Sequence, residues 1–126
     1  MTVLNHIVDI LSDILDLDPS MISEESYLVR DLEAESIDLL ELAVVLNSTF
    51  RTDINDDEIF LKNLRIHMEE CGESRDSWGD FLHGKYPFLS RERIREMVTD
   101  LSSGPVLKVK DLVSYITFKV GHDHIG

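Results

Sequence analysis

At 126 residues the chain suffices for one compact domain with its own core and is too short for two, so a single domain over residues 1–126 is expected. A net charge of −13 argues against nucleic acid or an anionic membrane as partner and favours basic protein surfaces. The lone Cys71 rules out an internal disulfide, and 43% hydrophobic residues argue against disorder.

The charge is uneven: residues 1–50 hold 11 acidic side chains against Arg30 alone, a net of −10 that leaves −3 for the rest. The N-terminal stretch MTVLNHIVDILSDILDL carries Asp9, Asp13 and Asp16 without a basic leader or a long apolar run. It reads as neither signal peptide nor membrane span, and a cytoplasmic location is expected.

Val3, Ile7, Ile10, Leu11 and Ile14 recur at helical spacing, which predicts an amphipathic helix from Thr2 to near Leu17, closed by Pro19. The stretch DPSMISEESYLVRDLEAE reads as a long ordered loop pinned by Ile22, Tyr27, Leu28 and Leu32. A second helix is expected over Ser36–Phe50, with one apolar row of Leu39, Leu42, Ala43, Leu46 and Phe50 and another of Ile37, Leu40 and Val44. Together the rows predict a wide buried face, and Leu40, Ala43 and Val44 are compatible with a cavity for an aliphatic chain.

INDDEIF announces a third helix, with Asn55 as cap, Glu58 three residues on and an Ile54–Ile59 staple. The apolar spacing extends it through Leu61, Leu64 and Met68 to Cys71, with Gly72 as stop. ESRDSWGDFLHGKYPFL reads as a loop anchored by Trp78, Phe81, Tyr86 and Phe88. Ser90 caps the next helix, whose inner row is Ile94, Met97, Val98 and Leu101, and Arg91, Arg93 and Arg95 lie on it as a basic outer strip. A last helix is expected over Val109–Phe118 with a frayed GHDHIG tail, and VLKVK is the sole hint of a strand. The fold class is all-α, a helical bundle.

The candidate chemistry centres on DLEAESIDLLEL, where Ser36 stands among Glu33, Glu35, Asp38 and Glu41. As a nucleophile Ser36 lacks an adjacent base and a glycine-rich elbow. As an acceptor it is well placed, because a phosphodiester at a helix start meets free backbone N–H groups and a favourable dipole. The plainer reading is a capping serine, and the acids read either as a solvated face or as a docking mark for a basic partner. No metal site is expected: His122 and His124 form a weak His-x-His signal on a terminal tail. Cys71 reads as a small apolar residue more readily than as a nucleophile.

DLEAESIDLLELAVVLNSTFRTDINDDE resembles the helix-two signature of acyl carrier proteins, Asp-Leu-Gly-Ala-Asp-Ser-Leu-Asp followed by an acidic, apolar helix. VKDLVSYI at 109–116 is similar to that family's closing helix. The resemblance implies a four-helix core with an extra helical insertion at about 61–104. It implies 4′-phosphopantetheine on Ser36, transferred from coenzyme A by a holo-synthase, with acyl groups held as thioesters on the arm. Recognition by acyl ligases or synthases with basic docking patches would fall on Glu35, Ile37, Asp38 and Glu41. The motif's Gly is Glu33 here, its Asp is Glu35 and its Leu is Ile37, changes that keep charge and apolarity but enlarge the turn's side chains.

On this reading the chain is a carrier and not an enzyme, serving fatty acid, polyketide or related specialised acyl metabolism. The rivals are an aminoacyl or peptidyl carrier, an unmodified acidic docking subunit, and a small hydrolase using Cys71 with His67 or His83. The insertion is expected to widen the bundle and to enlarge the acyl cavity or select a partner.

Overall fold

The computed structural model describes the backbone of residues 2–71 and 75–125 and the side chains of residues 2–70 and 79–121. The Cys71 side chain, the Gly72 stop, the Trp78 anchor and the His122/His124 pair lie outside the described residues. Among the described residues there are seven helices and no strand, only an isolated bridge between Tyr27 and Lys108 where VLKVK hinted at one.

Helix α1 (Val3–Leu15) starts where Thr2 Oγ1 accepts the Asn5 amide at 3.1 Å. It ends at Asp16, which adopts the left-handed conformation, so Pro19 is not its stop. Pro19 instead opens a 3₁₀ turn over Pro19–Met21, capped by the Asp18 carboxylate. The loop that follows is ordered as its apolar residues require: Ile22, Leu28 and Leu32 are buried. Its backbone lies against residues 107–110, with the Leu28 amide on the Leu107 carbonyl, the Val109 amide on Ser26 and the Lys110 amide on Glu24.

Helix α2 (Ser36–Phe50) has the predicted bounds, but only one of its two apolar rows is covered. Leu42, Ala43 and Leu46 are buried, whereas Ile37 is 70%, Leu40 55% and Val44 67% exposed. The buried face is therefore narrower than apolarity alone implies, since these three side chains lie largely in solvent.

The long third helix is two helices. Helix α3 (Asp56–Ile59) is capped by Asn55 Oδ1, which accepts the Glu58 amide at 3.1 Å. Leu61, at φ 54°, breaks the run before helix α4 (Leu64–Cys71). A left-handed leucine costs about 1–2 kcal/mol. Burial of Leu61 to 7% exposure offsets this, since a buried leucine gains about 1.5–3 kcal/mol.

The loop expected between Glu73 and Leu89 is instead largely helix α5 (Arg75–Lys85). Its Leu82 is fully buried, and a Cβ added at Gly79 or Gly84 would meet nothing within 4 Å. The helix runs through both glycines. Helix α6 (Arg91–Asp100) begins at the predicted cap, Ser90 Oγ accepting the Arg93 amide at 3.0 Å, and buries Ile94 and Met97. Helix α7 (Val109–Ile125) runs past Phe118 through the tail expected to fray.

α1 packs on α2 and α7, α3 on α7, α4 on α5 and α5 on α6. One contiguous core joins Ile7, Leu46 and Ile116 of the first group to Leu82, Ile94 and Met97 of the second.

Polar clasps fasten α6 to the rest. Arg93, expected on an outer strip, is buried: Nε and Nη2 donate to the two Asp111 carboxylate oxygens at 2.8 Å each, and Nη2 also donates to the Val106 carbonyl at 2.8 Å. Burial opposes the charge, yet the Asp111 carboxylate outweighs it and holds the guanidinium above its ordinary pKa. Only Arg91 and Arg95 of the predicted strip are exposed, Arg91 pairing with Asp80 at 2.8 Å. At the other end of α6, Asp100 accepts from the Tyr27 hydroxyl and from Arg30 Nη1 at 3.1 Å. Arg30 and Lys108 lie over the Tyr27 ring at 4.2 and 4.9 Å from its centre.

Candidate functional site

Ser36 is the first residue of α2, and the cap lies one residue earlier, at Glu35. The Glu35 amide donates to Asp38 Oδ2 at 2.9 Å, so Asp38 closes the helix start. This removes the plainer reading of Ser36 as the cap. Its side chain is exposed, and among the described residues its hydroxyl has no hydrogen-bond partner. The hydroxyl stands at the positive end of a 15-residue helix.

The turn leading to it is held by backbone bonds from Glu33 N to the Val29 carbonyl and Ala34 N to the Leu28 carbonyl, with Leu32 and Ala34 buried. Glu33 sits at φ 57° in the left-handed region. The family motif has glycine here, and the structure gives the reason: the position calls for backbone freedom rather than a particular charge. Exposed Glu33 gains no burial in return. Glu33→Gly should therefore raise stability by about 0.5 kcal/mol, the relief of left-handed strain less the extra freedom of the unfolded chain. Thermal melting of the two proteins checks this.

Of the residues predicted for recognition, Glu35, Ile37 and Glu41 are exposed, while Asp38 is half-buried in the cap. Ile37, Leu40 and Val44 follow one another at helical spacing beside Glu41, giving an exposed apolar stripe flanked by carboxylates. The sequence made Leu40, Ala43 and Val44 compatible with a cavity for an aliphatic chain; Ala43 is buried, but Leu40 and Val44 face solvent. The cavity near this end of α2, about 240 Å³, is bounded by Leu39, Val29, Phe60 and Leu64, with Leu101 and Val106 from beyond the family-like segment. The signal that could have found it was Leu39, one turn after Ser36 on the covered row.

Of the residues in the catalytic alternative, the Cys71 side chain lies outside the described residues. His83 Nδ1 is engaged with the Leu89 carbonyl at 2.8 Å, and no group of three or more metal-ligating side chains occurs among the described residues. No helix among the described residues is long and apolar enough to cross a membrane.

The model of the phosphopantetheine attachment site family matches residues 5–65. The acyl carrier proteins of Campylobacter curvus and Campylobacter concisus are each 34% identical over 77 residues, covering 58% of this chain and all of theirs. That of Lactobacillus acidophilus is 38% identical over 56 residues, 44% of this chain and 70% of its own. No solved structure matches. The chain belongs to the acyl carrier protein family. It is a carrier rather than an enzyme, and its family domain is the kind that takes 4′-phosphopantetheine covalently.

Proposed function

We propose that Ser36 is the attachment residue and that the chain carries acyl intermediates as thioesters in fatty acid, polyketide or related specialised metabolism. The observation that carries this is the exposed hydroxyl at the first residue of α2, with capping left to Glu35 and Asp38. The phosphodiester formed there would sit against free backbone N–H groups at the helix's positive end. Glu35, Glu41, Ile37 and the exposed Leu40 and Val44 make the surface for the holo-synthase and for acyl ligases or synthases with basic patches. Asp38 contributes mainly by fixing the helix start.

The domain reading is one carrier domain with an insertion at about 61–104, supported by the single core. The cavity beside Leu39 is apolar enough to shelter an aliphatic chain, and Leu64 and Leu101 give the insertion a share in its wall. A cytoplasmic setting suits an acidic chain with a single cysteine.

Incubation with coenzyme A and a promiscuous phosphopantetheinyl transferase should add the arm's mass to the wild type and nothing to Ser36→Ala. An unmodified wild type, or an adduct that persists in Ser36→Ala, would overturn the assignment; the first result would favour the docking-subunit reading.

A further inference from the structure

We propose that the insertion holds a ligand site of its own, the cavity between α4, α5 and α6, and that it takes an aliphatic chain ending in a carboxylate. The cavity measures about 550 Å³, within the range of about 300–1,000 Å³ usual for small-molecule sites. Ile94, 2% exposed, forms its floor, and Met68, Val98 and Leu101 form half-buried walls. Arg65 and Arg95 are exposed at the rim.

The charge pattern selects the head group. The chain has 25 acidic residues against 12 basic ones, yet the described lining of this cavity holds two arginines and no carboxylate. Among the described residues neither arginine forms an ion pair, and Arg65 Nη2 reaches only the Leu101 carbonyl, at 3.5 Å. A guanidinium beside an apolar hollow matches a carboxylate on a hydrocarbon chain, because its planar fork donates to both carboxylate oxygens while the tail leaves water.

Two sources supply such a ligand: a free carboxylate, or the far end of a dicarboxylic acyl group held on the protein's own arm. The second rests on the carrier reading of Ser36. Arg65 and Leu101 also border the smaller cavity beside Leu39, so the two spaces share a wall.

The test uses the full, unmodified chain and decanoate, followed by calorimetry and by amide NMR shifts at Thr99 and Ser102. The expected result is saturable one-to-one binding, at least tenfold tighter than decanol, with shifts at those amides and at least tenfold weakening in the exposed-site variant Arg65→Gln/Arg95→Gln. A second arm loads the protein with the half-thioester of decanedioic acid or with a decanoyl group. Shifts at Thr99 and Ser102 with the first and not the second support the site and assign the tethered source. Decanol binding as tightly as decanoate, an arginine variant binding unchanged, or silence in both arms would overturn the site. Arm loading is read separately by mass, so failure of the carrier reading leaves the decanoate titration intact.

Discussion

Truncating Arg93 to methionine, or Asp111 to alanine, should destabilise the protein by about 3–5 kcal/mol, the effect of stranding one buried charge without its partner. Arg93 is 7% and Asp111 1% exposed, and the pair is bidentate at 2.8 Å. Asp111 Oδ2 also accepts the Lys108 amide at 2.8 Å, so losing the carboxylate strips a second donor at the start of α7. A loss of this size is a large share of the 5–15 kcal/mol typical of a domain. It should lower the melting temperature by about 10 °C or more and move the urea midpoint accordingly. The double variant Arg93→Met/Asp111→Ala should lose less than the two single losses combined, because neither charge is stranded. Equal additivity would mean that the pair is not coupled in solution.

Changes on the exposed row of α2 should do the opposite, harming transfer while sparing the fold. Ile37→Ala and Leu40→Ala remove side chains that are 70% and 55% exposed, so stability should stay within about 0.5 kcal/mol. Because central apolar anchors dominate most interfaces, each should lower kcat/KM for arm transfer to Ser36 by roughly tenfold or more. Glu41→Lys should act more weakly, through the association rate, and its effect should fade with added salt. Asp38→Ala must be read with its melting curve, since removing a cap costs about 0.5–2 kcal/mol by itself. Transfer kinetics that ignore all four substitutions would refute the docking role of this face.

What local chemistry writes plainly was legible. The caps at Asn55 and Ser90, the bounds of α2, the pinned loop and the all-helical class follow from spacing and side-chain type. What depends on distant partners was not. Arg93 reads as one cation in RERIREM, and its partner Asp111 lies 18 residues on, beyond any helical spacing. Leu61 breaks a periodic run with no glycine to mark the turn, because the core rather than the backbone chooses it. Gly79 and Gly84 read as breakers, yet α5 absorbs about 1 kcal/mol for each through the burial of Leu82 and Tyr86 around it. At the candidate site, Ser36 is singled out by its motif, and the structure places it at the first residue of α2. The meaning of Glu33 and the exposure of Leu40 and Val44 needed coordinates, since hydrophobicity is not burial.

The pairing of residues 24–28 with 107–110 also bears on biosynthesis. The salt bridge of Glu25 with Lys108 alone spans 83 positions in the chain, and the frame around the serine's loop is closed by these late residues. A nascent chain that has emerged only through α2 possesses the serine but not the backbone partners that hold its turn. If Ser36 takes the arm as proposed, its presentation to a modifying enzyme should follow the synthesis of residues 107–110, when the loop can dock.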